Sequence, residues 1–106
     1  MNMEMAKYIM SILKTQLMVV WSWGFNSPIA IENGLRFKVQ GFKFKGVVEV
    51  VYNESSDLFD VSFIKAGKAV KTIEGVFFDT LVSVIDYYVE KTSDYEDRVK
   101  KEYSLP

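Results

Sequence analysis

Between Leu35 and Tyr52 apolar side chains recur at every second position, and this run constrains the chain more than any other stretch. Leu35, Phe37 and Val39 alternate with Arg36 and Lys38; Phe42 and Phe44 alternate with Lys43 and Lys45; Val48, Val50 and Tyr52 continue the second phase. A period of two belongs to a strand with one buried face. As a single strand the two halves are out of phase, because Gln40 and Gly41 stand between them. Folding the chain back at Gln40-Gly41 restores the phase. A two-residue hairpin turn, with Gly41 supplying a positive φ, sets Val39 opposite Phe42 and Phe37 opposite Phe44. A bulge at Gly41 is the alternative.

The second strand of this hairpin is expected to run to about Asn53. Asn53-Glu54-Ser55-Ser56-Asp57 reads as a polar turn. Leu58 to Lys65 follows as a strand with Phe59, Val61 and Phe63 on one face. Ala66-Gly67 turns the chain into a short strand from Ala69 to Glu74. Leu17 to Trp23, rich in β-branched and aromatic residues, reads as a buried strand and as a candidate fifth. Residues 24–28 read as a loop, and 29–34 fit neither period cleanly. Met5, Ile9, Ile12 and Leu13 form a helical stripe within residues 3–15. Phe78, Leu81, Val82, Ile85 and Val89 form another, which Lys91-Thr92 ends. Ser93-Asp94-Tyr95-Glu96 matches a capping box, opening a short polar helix to about Tyr103. The expected fold is a single α+β domain over residues 1–106. Its antiparallel meander sheet of four to five strands is flanked by an N-terminal helix and one or two C-terminal helices.

Composition narrows the chemistry. With 106 residues, 49% of them apolar and 25% charged, the chain is an ordinary globular domain. It has neither cysteine nor histidine. That removes thiolate zinc sites, disulfides, the usual general base near neutral pH and every Ser–His or Cys–His arrangement. An enzyme built from this chain would depend on carboxylates, with Asp57, Asp60 or Glu49 lining a deep pocket. The expectation is therefore a non-enzymatic protein without cofactor. The apolar run 17–21 is too short to cross a bilayer and follows no basic leader, so the expectation is a cytoplasmic protein without membrane contact.

Four features bear on partners. Arg36, Lys38, Lys43 and Lys45 would share the hairpin face opposite the phenylalanines, Lys38 across from Lys43 and Arg36 from Lys45. They form either a solvated face or a site for an anion or nucleic acid. Acids outnumber bases from Glu74 onward, so this basic face could equally meet the acidic C-terminal portion of its own or a second chain. Val47, Val51 and Ile64 make the opposite face of the sheet apolar as well. A strand apolar on both sides is usually covered on both, which predicts one helix on each face. The alternative is a partner surface, as in a homodimer. Trp21-Ser22-Trp23-Gly24-Phe25 offers aromatic anchors, and Trp23, beside the loop, is the expected exposed one. Glu54, Asp57 and Asp60 surround one turn, but their spacing matches no calcium loop.

Trp21-Ser22-Trp23-Gly24, the segment from Gly34 to Phe42, and Asp57-Leu58-Phe59-Asp60-Val61 together resemble small proteins of bacterial phages and mobile elements. The resemblance covers most of residues 17–90. It implies an accessory or regulatory role and transfers no functional residue.

Overall fold

Helix α1 (Glu4–Lys14) forms where the stripe predicted it, burying Ala6, Ile9 and Leu13 at steps of three and four. Glu4 in its first turn and Lys14 in its last suit the helix dipole. The computed structural model describes residues 3–90; the expected capping box at residues 93–96 lies outside them. Among the described residues no helix is long and apolar enough to cross a membrane.

The chain then departs from expectation. Leu17–Ser22 is a second helix, α2, and not a strand. Val20 and the following Trp23 are buried three residues apart, while Leu17, Met18 and Trp21 face outward. Packing on one helical side overrides the weak strand preference of Val19, Val20 and Trp21. The fifth strand comes from the ambiguous segment instead: β1 is Asn26–Ile31. It sits at the sheet edge, where Pro28 and a register break between Asn26 and Ile29 are tolerated.

Four further strands complete the sheet: β2 (Gly34–Gln40), β3 (Lys45–Asn53), β4 (Leu58–Lys65) and β5 (Lys68–Val76). The order is β1-β2-β3-β4-β5, with all neighbours antiparallel. A turn of 3-10 helix (Phe78–Thr80) leads into α3 (Leu81–Val89). The structure is thus the expected α+β meander with helices before and after the sheet.

The β2–β3 connection is longer than predicted. Gln40 pairs with Lys45, Val39 with Gly46 and Phe37 with Val48. Residues 41–44 form the loop in place of a two-residue turn at Gln40-Gly41. The cause is remote. The N–H groups of Lys43 and Phe44 both donate to the carbonyl of Val89 at the end of α3, over 2.8 and 3.2 Å. Gly41 is needed for this docking rather than for a positive φ, since a Cβ there would lie 2.2 Å from Val89 Cγ1. Phe44 turns inward, edge-on to Phe63, and Phe42 is 76% exposed.

Both helical segments pack on the same sheet face. Leu35, Phe37 and Val39 of β2, Val48 and Val50 of β3, and Phe59, Val61 and Phe63 of β4 meet Ile9, Leu13, Val20, Trp23, Leu81 and Ile85 in one core. The expectation of one helix on each face is therefore overturned: this is a two-layer fold, and no helix among the described residues covers the outer face.

Candidate functional site

The outer face is built by the residues that alternate with the core. Reading across the sheet, Ile29 of β1 lies beside Arg36, Arg36 opposite Glu49, Glu49 opposite Ser62, and Ser62 opposite Thr72. Arg36 and Glu49 form an ion pair at 3.6 Å, and the hydroxyls of Ser62 and Thr72 are 3.2 Å apart. One step toward the β2–β3 loop, Lys38 pairs with Val47 and Val47 with Ile64. One step the other way, Gly34 pairs with Val51 and Val51 with Asp60. Val47, Val51 and Ile64 therefore share a surface as predicted. Val47 and Ile64 are direct neighbours, and Val51 lies beyond Glu49. Ile29 and Ile31 extend it. Their alternation with Ala30 is a strand signal, obscured by the adjacent proline.

Trp23 does not belong to this surface. It is fully buried, and its indole N–H donates to Asp86 Oδ1 over 2.9 Å. The exposed tryptophan is Trp21, 64% accessible on α2 beside Met18. The predicted basic cluster also disperses, because its cross-strand pairing depended on the shorter turn. Arg36 is engaged by Glu49. Lys43 sits in the loop with Nζ 5.3 and 5.6 Å from the ring centres of Tyr87 and Tyr88, an arrangement favourable to a cation. Lys38 and Lys45 alone of the four line a shallow depression with Val39, Gln40, Gly46 and Val47.

The acidic turn holds its carboxylates apart by separate bonds. Asp57 accepts from the Tyr52 hydroxyl, and this bond, ahead of desolvation and nearby charge, raises the Tyr52 pKa above 10.0. Asp60 accepts the Gly75 N–H at 3.2 Å and an Asn53 amide hydrogen at 3.5 Å. Among the described residues no group of three or more acids converges in a way that could hold a metal ion. A cleft of about 400 Å³ opens between α1 and the start of α3, lined by Tyr8, Ile12, Phe78, Asp79 and Val82 among others. Its Ser11 and Thr15 hydroxyls donate back to the carbonyls of Tyr8 and Ile12. Neither this cleft nor the depression at Lys38 is lined by Asp57, Asp60 or Glu49.

Charge sorts along the strands. Between residues 26 and 76 every acid except Glu49 lies at the end of the sheet holding the β1–β2 and β3–β4 turns: Glu32, Glu54, Asp57, Asp60 and Glu74. Every base except Arg36 lies in the opposite half, with the β2–β3 and β4–β5 turns. The alternating sign of successive turns produces this, since a meander places odd and even turns at opposite ends.

Comparison with protein-family models, curated proteins and solved structures finds no match to this chain.

Proposed function

We propose that this chain is a non-enzymatic interaction protein that docks a protein partner on the outer face of its sheet. One observation carries the reading. Val47 and Ile64 pair across β3 and β4, Ile29, Ile31 and Val51 share their face, and no described helix lies over them. Removing such aliphatic surface from water is favourable by about 25 cal/mol per Å², and the Arg36–Glu49 pair supplies polar orientation at its centre. An accessory role of the kind the sequence resemblance implies is compatible with such a module.

The test is a photo-crosslinking amino acid at position 47 of the full chain, expressed in its native cell. Discrete protein adducts are expected from position 47 and not from position 14 on the helical layer, and Ile64→Glu should abolish them while the circular dichroism is retained. Absence of adducts from both 47 and 64 would overturn the reading.

A second reading, binding of a phosphate-bearing polymer, draws on the lysines gathered at one sheet end, Lys38, Lys43, Lys45, Lys65 and Lys68. It predicts affinity that falls steeply with salt. Nucleic acid that shows no mobility shift at low salt would remove it.

A further inference from the structure

The outer face carries Val47, Ile64 and Val51 on either side of a central polar row and is oppositely charged at its two ends, and this restricts what fits it. Resting on the docking reading above, we propose that the partner is a second copy of this chain, stacked face to face with its strands antiparallel to the first.

Three observations select this occupant and this orientation. The first is charge. With strands parallel, stacking would lay Glu32, Glu54, Asp60 and Glu74 over the same acids and the lysines over lysines. A two-fold axis running across the strands, through the level of Arg36 and Glu49, instead lays each acidic end over a basic one. Such an interface is isologous and closes at two copies. It brings Lys45 of each copy, four residues before Glu49 on β3, over Asn53 of the other, four residues after it, and so next to Glu54, which opens the β3–β4 turn. Val47 and Val51 lie one alternation either side of Glu49 on β3, so Val47 of one copy packs on Val51 of the other. At the axis Arg36 lies over Arg36 and Glu49 over Glu49, each charge balanced within its own chain by the 3.6 Å Arg36–Glu49 pair.

The second observation is that both sheet edges are blocked against strand addition. β1 carries Pro28 and a register break. β5 carries Lys68 and Lys71 and pairs irregularly with β4 at two places. Lysine, proline and bulges are the devices that protect edges, so association by extending the sheet is disfavoured and the face remains.

The third is size. Five strands about 4.8 Å apart and about seven residues long present on the order of 550 Å² per copy. Two copies bury on the order of 1,100 Å², enough for a specific interface at the small end of the range.

Sedimentation velocity on the full chain, from micromolar to near-millimolar concentration, tests this. The expected result is a reversible monomer–dimer equilibrium that weakens as salt shortens the screening length. Lys45→Glu and Glu54→Lys should each weaken the dimer by about tenfold, with circular dichroism and melting unchanged. An equimolar mixture of the two variants should restore it, since residues 45 and 54 are again opposite in sign at both ends of the mixed dimer. A chain that stays monomeric throughout overturns the proposal, and so does a dimer that the mixture fails to restore. If the monomeric chain still forms adducts with another protein through position 47, the docking reading stands and self-association alone falls.

Discussion

The indole N–H of Trp23 donates to the carboxylate of Asp86 over 2.9 Å, tying the end of α2 to α3 beneath the sheet. The ring stacks on Phe37 and is shielded from water, so the donor has no other partner to turn to. Asp86→Ala should therefore cost about 1–3 kcal/mol in a urea titration. Asp86→Asn keeps an acceptor oxygen and should recover part of that loss. A negligible effect of Asp86→Ala would mean the bond is dispensable.

Trp21 and Trp23 stand two residues apart in opposite environments, 64% and 0% exposed. Trp21→Phe leaves only the buried indole, so its emission should lie at shorter wavelength than the parent's and resist quenching by iodide. Trp23→Phe should show the reverse, with a readily quenched, longer-wavelength emission. Equal quenching of the two variants would contradict the placement of α2.

The same region shows what sequence periodicity can and cannot reach. The faces of β2 to β4 are readable because each strand is buried on one side. They do not depend on the length of the turn here, because moving Val39 from Phe42 to Gly46 shifts the pairing by an even number of residues. The turn itself was not readable, since the carbonyl that shapes it belongs to Val89, far along the chain. In α2 the exposed Leu17, Met18 and Trp21 made a six-residue helix look apolar on every side, and a run that short cannot be assigned from period alone. Of the candidate surface, Val47, Val51 and Ile64 were placed from alternation. Arg36, Lys38 and Lys45 also follow alternation onto that face; their cross-strand partners, and the position of Lys43, depend on the turn and are not readable from it.

Gly41 tests the docking of that loop. Besides the 2.2 Å approach to Val89 Cγ1, a Cβ at this position would lie 2.6 Å from the Val89 carbonyl oxygen. That oxygen is held by two N–H donors, so it cannot move away freely. Gly41→Ala should destabilise the protein by about 1–3 kcal/mol. Faster amide exchange is expected at Lys43 and Phe44. Unchanged stability would show that the loop can lift off α3 at no cost.

The β4–β5 turn holds a removable strain. Ala66 and Gly67 both have positive φ, 53° and 78°, as a two-residue hairpin turn of this hand requires. Alanine in that conformation costs roughly 1 kcal/mol relative to a residue that accepts it. Ala66→Gly should raise stability by somewhat less than that, because glycine also frees the unfolded chain, and Ala66→Asn should do at least as well. A lower melting temperature for both variants would show that Ala66 makes a compensating contact.

Glu90 should make stability fall with rising pH, opposite to the usual effect of a carboxylate. Burial raises its pKa above 4.5; the N–H of Phe42, 3.4 Å away, works against this, and the nearby Asp86 charge adds to it. The folded state thus binds the proton more tightly than the unfolded chain. Its contribution is complete below the ordinary carboxyl pKa and is lost as pH rises through the raised folded-state value. Glu90→Gln cannot ionise and still offers an oxygen to Phe42. It should be more stable than the parent at neutral pH, with the difference shrinking as pH falls through the raised folded-state value and gone below about pH 4.3, the ordinary carboxyl pKa. Thermal melts across this range measure the difference directly. A Glu90→Gln chain less stable than the parent at neutral pH would show that the charged bond to the Phe42 N–H outweighs the cost of burial.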